Sequence, residues 1–299
     1  MANILIIGAG TIGTYIGTLL YDKGHNVILL GSTKLRKLNE PLLVEKKYYN
    51  IPMRIYKIPS EAALEYANFD FVFITSKLYD LHKNLKIILK YKIKTKYLIC
   101  IQNGLVDKSI YKPYLNGSKF ASISVFEGFR LINNQLIASH SKIGWKTDSS
   151  EAGKKVSNLL EETGINCSVE KNLEKIKAEK DIMNCSTNLI SAIEKKTFYE
   201  LCKNKKSRKE IDILFDESYN VICQNIKLTP KEKLREKFYE IISNMKHYSS
   251  TYQDAISKEK TEINFLNGYI IKLGKKYDIP TPENEKIVKE FIKKYPESI

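Results

Sequence analysis

Cysteine is sparse in this 299-residue chain and poorly placed for chemistry. Cys100, Cys167, Cys185, Cys202 and Cys223 lie far apart and are odd in number, with no C-x-x-C pair and no histidine at zinc spacing. That excludes a disulfide framework or a zinc site as the organising principle. No carboxylate or histidine cluster has ligand spacing for another metal either, so no metal and a reducing, cytoplasmic setting are expected. Long apolar runs are also lacking. The uncharged stretch 2–20 comes nearest, but it has no basic leading segment and is interrupted by glycines at 8, 10, 13 and 17, so neither a secretory leader nor a membrane span is expected. Arginine is scarce too. The formal charge of +15 comes almost wholly from lysines scattered along the sequence, without an arginine cluster or an aromatic-rich basic motif. A generically lysine-rich surface fits this best, ahead of attraction of anionic small molecules and, last, a nucleic-acid site.

What is present suits a globular protein of two domains: 43% hydrophobic and 28% charged residues, no low-complexity tract and no internal repeat. Asn3–Ile7 is a short β-branched run, followed by Gly8-Ala9-Gly10-Thr11-Ile12-Gly13 and an apolar helical pattern ending near Gly24. A second strand at 26–30 completes a βαβ unit. Further strand-like runs at 69–74 and 97–101 flank a helical segment near 80–92, which predicts a mostly parallel, doubly wound sheet. Between 119 and 147 the strand-like stretches broken by Asn133-Asn134 suggest hairpins at the edge of that sheet. Helical periodicity takes over after about Leu173, where Thr229-Pro230 and Thr281-Pro282 each read as an N-cap followed by proline at the first helical position. The boundary is placed at 170/171, giving 1–170 and 171–299.

The G-x-G-x-x-G spacing gains meaning from its context, between a strand and a helix inside a βαβ unit. Gly8 allows the tight turn, Gly10 lets backbone approach a pyrophosphate, and Gly13 lets helix and strand pack closely, while the N–H groups around Thr11 and Ile12 face the phosphates. An NAD-preferring site carries an acidic residue about 20 positions on, to bind the ribose 2′-hydroxyl. Here Gly31-Ser32-Thr33-Lys34-Leu35-Arg36 follows the second strand, and Ser32, Lys34 and Arg36 suit a 2′-phosphate, so NADPH is the expected cofactor. In the second half, Lys180, Asn184 and Asn188 are spaced four apart and stack along one helix face. By themselves they fit a solvated polar face as well as a site. Likewise Ser250 and Gln253 read as a capping box, with Glu262 a few residues beyond.

Together these segments resemble the ketopantoate reductase family: the glycine turn, Thr75-Ser76-Lys77, Gln102-Asn103-Gly104, Lys-x-x-x-Asn-x-x-x-Asn at 180–188, Ser249-Ser250 with Gln253-Asp254, Thr261-Glu262-Ile263, Asn267-Gly268 and Pro282-Glu283-Asn284. The resemblance covers most of the chain, and the order and spacing match jointly. It implies an α/β fold: a Rossmann-type doubly wound sheet, then an all-helical domain like the C-terminal domain of 6-phosphogluconate dehydrogenase. It also implies NADPH-dependent reduction of 2-dehydropantoate to (R)-pantoate, a step of pantothenate and coenzyme A synthesis, by a monomer or homodimer acting on a small 2-oxo acid. By the same resemblance Lys180 lies beside the reacting carbonyl and Glu262 shares in substrate or proton handling. Asn184, Asn188 and Ser250 hold substrate oxygens, and Lys77 and Asn103 lie near the nicotinamide half of the cofactor. Two departures stand out: Ala178, where many relatives carry tryptophan, and His247, where many carry asparagine. His247 reads as a pocket-wall or cap residue rather than a new acid or base. A reductase of another 2-oxo acid or ketone, and a non-catalytic NADPH-binding regulator, are the competing readings.

Overall fold

A computed structural model describes residues 1–31, 41–55, 68–132, 135–139 and 141–299. The chain divides into two compact units, Met1–Leu173 and Glu174–Ile299.

In the first unit β1 (Asn3–Ile7) leads through the glycine turn into α1 (Thr11–Asp22) and on to β2 (Asn26–Leu30). Three short strands follow: β3 (Leu42–Val44), β4 (Lys47–Tyr49) and β5 (Met53–Ile55). Then come β6 (Asn68–Ile74), α2 (Leu78–Lys90), β7 (Lys94–Ile101), β8 (Lys119–Val125), β9 (Gly128–Ile132), β10 (Gln135–Ser139), β11 (Trp145–Asp148), α3 (Glu151–Glu161) and β12 (Cys167–Glu170). The main sheet runs β12-β11-β8-β7-β6-β1-β2-β5 and is parallel apart from the antiparallel β11–β8 pair. Its central strands β1, β2 and β6 are buried on both faces, as near-continuous apolar runs such as Ile4-Leu5-Ile6-Ile7 require. Ile4, Ile6, Val27, Leu29, Phe71 and Phe73 join α1 and α3 in one core cluster. Leu5, Ile7, Ile28, Leu30, Val72 and Ile74 join α2 in the other. The sheet is therefore doubly wound.

The chain leaves β1 toward β2 and β5, then returns to β6 on the other side of β1. Such a reversal opens the crevice at the carboxyl ends of the strands where ligands of open α/β sheets bind. The hairpin expected at the sheet edge is placed differently. β9 and β10 pair antiparallel, but they join β3 and β4 in a separate four-stranded sheet ordered β4-β3-β10-β9. Its inner residues Leu42, Val44 and Leu136 are buried in the α1 cluster, and Tyr15 of α1 packs on Phe129 with ring centroids 4.9 Å apart. Burial against α1 outweighs extension of the large sheet.

The second unit is helical: α4 (Leu173–Glu194), α5 (Phe198–Lys203), α6 (Lys205–Ile222), α7 (Lys231–Ile242), α8 (Ser250–Ile256), α9 (Asn267–Tyr277) and α10 (Pro282–Lys294). Two helix starts depart from expectation. Pro230, not Thr229, is the N-cap of α7, and the Thr229 N–H donates to the Glu179 carboxylate of α4 at 2.9 Å. Thr281 does occupy the N-cap of α10, with Pro282 next, but its side chain makes no capping bond. A carboxylate from another helix takes that role: Glu217 of α6 accepts the N–H groups of Glu283 and Asn284 at 2.8 and 2.9 Å, and the Asn284 side-chain amide at 2.8 Å. Asn284 in turn accepts from Asn267, whose amide also donates to the Cys185 carbonyl of α4. These buried polar groups tie α6, α9 and α10 to the middle of α4. Among the described residues no helix is long and apolar enough to cross a membrane.

Candidate active site

The glycine turn lies at the reversal point of the large sheet. Gly8 has φ +99°, and a Cβ there would stand 2.5 Å from the Ser76 nitrogen, so both backbone conformation and packing demand glycine. At Gly13 a Cβ would meet Thr75 Oγ1 at 2.6 Å, the Gly8 carbonyl at 2.7 Å and Ile6 at 3.1 Å, which gives the close helix–strand approach a concrete cause. Gly10 is different. Its φ of −77° suits any residue, and the nearest atom to its missing Cβ is the Gly8 oxygen at 4.0 Å. Among the described residues nothing demands glycine there, whereas a ligand lying against the backbone would.

Gly10 is also the N-cap of α1, has no side-chain capping bond, and is followed by no acidic residue in the first turn. The first N–H groups of the helix, including those of Thr11 and Ile12, have no carbonyl four residues back to bond, and the helix dipole adds partial positive charge. An open turn, donor N–H groups and uncompensated positive potential fit a dinucleotide pyrophosphate. Two other expected residues border the same end of the sheet. Lys77 is the N-cap of α2, two residues beyond Thr75, and Asn103 is the second residue beyond β7. Ser32, Lys34 and Arg36 lie outside the described residues.

The second unit gathers the other group. Lys180, Asn184 and Asn188 follow at successive four-residue steps on α4, with Asn188 buried and the other two half-buried. Asn-Cys-Ser-Thr-Asn is a weak helix former, yet α4 runs unbroken through 184–188. Ser186 and Thr187 turn their hydroxyls back onto the carbonyls of Ile182 and Met183 at 2.6 and 2.7 Å, which satisfies them without leaving the helix. Burial pulls the Lys180 ammonium from its ordinary value down to about 8. The Asp181 carboxylate opposes that shift, Lys177 reinforces it, and Glu262 opposes it again. Glu262, 6% exposed, is thus close enough to Lys180 to act on its charge. The part played by Asp181 was not read from the sequence, since a carboxylate one residue along a helix ordinarily faces elsewhere.

The start of α8 corrects a further expectation. Ser249, not Ser250, is the N-cap, accepting the Tyr252 N–H at 3.1 Å. The Gln253 amide donates to the Tyr248 carbonyl rather than closing a capping box. Ser249 also donates to the Asn188 carbonyl at 2.9 Å, and its N–H donates to the Ser191 hydroxyl of α4. Ser250 is left exposed at the first position of α8, fixed beside the Asn188 end of α4. His247 has a structural setting: its ring packs edge-on against Phe198 at 5.3 Å, and Nδ1 lies 3.1 Å from the Tyr248 carbonyl. Ala178 is fully buried on α4.

Comparison with known proteins identifies the family of the chain. Residues 4–146 match the family model described as ketopantoate reductase PanE/ApbA, and residues 172–294 match that of its C-terminal domain. A 2-dehydropantoate 2-reductase of Aquifex aeolicus is 28% identical over 308 residues, spanning 96% of this chain and 95% of that protein. Among solved structures, a PanE/ApbA family ketopantoate reductase from Ralstonia eutropha superposes with a TM-score of 0.82 at 20% identity, covering 98% of this chain and 99% of that one. A D-mandelate dehydrogenase solved with NADH and anilino(oxo)acetate gives 0.84 at 21% identity, covering 98% of each. The chain belongs to the ketopantoate reductase family and is an oxidoreductase with an NAD(P)-binding Rossmann-like fold.

Proposed function

We propose that this protein reduces 2-dehydropantoate to (R)-pantoate with NADPH, as a cytoplasmic enzyme of pantothenate and coenzyme A synthesis. The observation that carries the reading is the desolvated Lys180 ammonium, set beside Glu262 on the same helix face as Asn184 and Asn188. When bound, the reduced nicotinamide supplies the hydride. The protein's part is orientation, electrostatics and a proton. Lys180 stands beside the substrate carbonyl, stabilises the charge that grows on its oxygen and delivers the proton. With its pKa near 8, the ammonium is a stronger acid than an ordinary lysine and is still mostly protonated at neutral pH. Glu262 favours the charged form, and Asn184, Asn188 and Ser250 hydrogen-bond the remaining substrate oxygens. Gly8, Gly10, Thr11, Ile12 and Gly13 cradle the pyrophosphate, with Lys77 and Asn103 toward the nicotinamide. The preference for NADPH rests on Ser32, Lys34 and Arg36 and on the lack of an acidic residue just after β2.

A second reading, reduction of a different 2-oxo acid, is favoured by Ala178 and His247, and by the shared fold of a D-mandelate dehydrogenase. The experiment follows NADPH oxidation with 2-dehydropantoate and a panel of other 2-oxo acids, running NADH and the Lys180→Ala variant in parallel. The proposal requires preference for NADPH and 2-dehydropantoate and a rate at least about a hundredfold lower in the variant. NADPH binding with turnover only of another 2-oxo acid would establish the second reading instead.

A further inference from the structure

Three adjacent parallel strands, β1, β6 and β7, end at Ile7, Ile74 and Ile101, and the first residue beyond each is Gly8, Thr75 and Gln102. Hydrogen bonds link these strand ends. The Thr75 N–H donates to the Ile7 carbonyl at 2.9 Å, and the Thr75 hydroxyl donates to the Gly8 carbonyl at 2.6 Å. The Gly10 N–H donates to the same Gly8 oxygen at 2.7 Å, so both of its acceptor positions are used. The Thr75 hydroxyl occupies the space left by the missing side chain of Gly13. One strand further on, Gln102 Nε2 donates to the Ile74 carbonyl at 2.7 Å and to the Ser76 carbonyl at 3.4 Å. Two carbonyl acceptors fix which end of the amide is nitrogen.

Gln102 is 6% exposed, and its Oε1 is buried with no hydrogen-bond partner among the described residues. A buried unpaired acceptor is costly, and a methionine would fill a similar volume without one. The two donated bonds therefore need a purpose beyond filling space. A phosphate cradle supplies it, because carbonyl oxygens carry partial negative charge and repel an anion wherever they face it. We propose that Thr75 and Gln102 are positioning residues of the dinucleotide site. They hold the carbonyls of Gly8, Ile74 and Ser76 in hydrogen bonds, so that the turn offers N–H groups to the pyrophosphate. This rests on the dinucleotide reading of the glycine turn.

The test compares wild type with Thr75→Val, Thr75→Ser and Gln102→Met, by direct titration with NADPH, by steady-state kinetics with 2-dehydropantoate, and by thermal melts. Thr75→Val keeps the shape but loses the donor, and Thr75→Ser keeps the donor. The expected result is a Kd and KM for NADPH raised about tenfold in Thr75→Val and in Gln102→Met, the worth of one hydrogen bond. Turnover at saturating NADPH and KM for the 2-oxo acid should stay within about twofold, and Thr75→Ser should bind like wild type. A merely structural role would instead lower the folded fraction, reducing apparent turnover at unchanged Kd, and that pattern overturns the proposal. If Thr75→Val does not fold, the Kd of Gln102→Met decides the matter in the same way. Wild type that binds neither NADPH nor NADH would remove the dinucleotide reading and this inference with it. Tight binding by wild type and both donor-less variants removes the inference alone.

Discussion

A lysine ammonium with a pKa near 8 has opposite consequences for rate and for stability. In the proposed role of proton donor Lys180 must be charged, and that proposal predicts that reductive turnover falls as pH rises through about 8. Stability runs the other way. Below about 8 the group is protonated in both folded and unfolded states, and its desolvation penalty is fully present. Between about 8 and the ordinary lysine value the unfolded chain binds more protons, so this group's contribution to stability rises with pH. Urea titrations of wild type and Lys180→Met across that window isolate the effect as a difference, and a flat difference would contradict it. The two neighbouring serines provide a second contrast. Ser249→Ala should cost about 1 kcal/mol or more by removing a cap and its tie to Asn188. Ser250→Ala, at an exposed position, should leave the melting temperature unchanged and raise KM for the 2-oxo acid.

Helix and turn elements carry their own predictions. α10 begins with a threonine that does not cap and is held by Glu217 from α6. Glu217→Ala strands two backbone donors and the Asn284 amide, and should destabilise the helical unit by about 3 kcal/mol, read as an earlier transition in far-ultraviolet circular dichroism melts. In the glycine turn, Gly8→Ala forces a Cβ against Ser76 in a left-handed conformation and should impair folding. Gly10→Ala meets no atom of the described residues closer than 4.0 Å and has an ordinary φ, so it should fold normally but bind dinucleotide at least about tenfold more weakly. Equal loss of stability in both variants would count against a ligand role for Gly10. These elements also differ in how legible they were. β1, the turn and α1 are a continuous stretch whose spacing alone carries the pattern. β3 and β4 span only three residues each, too few to show a period, and β3 pairs in parallel with β10, more than 90 residues away in sequence. No local signal announces such a pairing.

At the scale of the whole molecule, a ligand that binds only the folded chain stabilises it by mass action. NADPH at about a hundred times its Kd should add about 2.7 kcal/mol, and NADH at the same concentration less, seen as a smaller rise in melting temperature. Equal shifts from the two would remove the cofactor preference assigned to Ser32, Lys34 and Arg36. The amino-acid sequence by itself determined the doubly wound start, the helical second half, the glycine turn and the shared face of Lys180, Asn184 and Asn188. Each of these follows from spacing within one element, where period and distance along the chain are equivalent. Only the tertiary structure decided that Ser249 rather than Ser250 caps α8, that Glu217 caps α10, that Thr75 and Gln102 hold the carbonyls around Gly8, and that burial lowers the pKa of Lys180. Those outcomes depend on burial and on partners from different elements, most of them tens of residues apart, and no pattern of neighbouring residues encodes them.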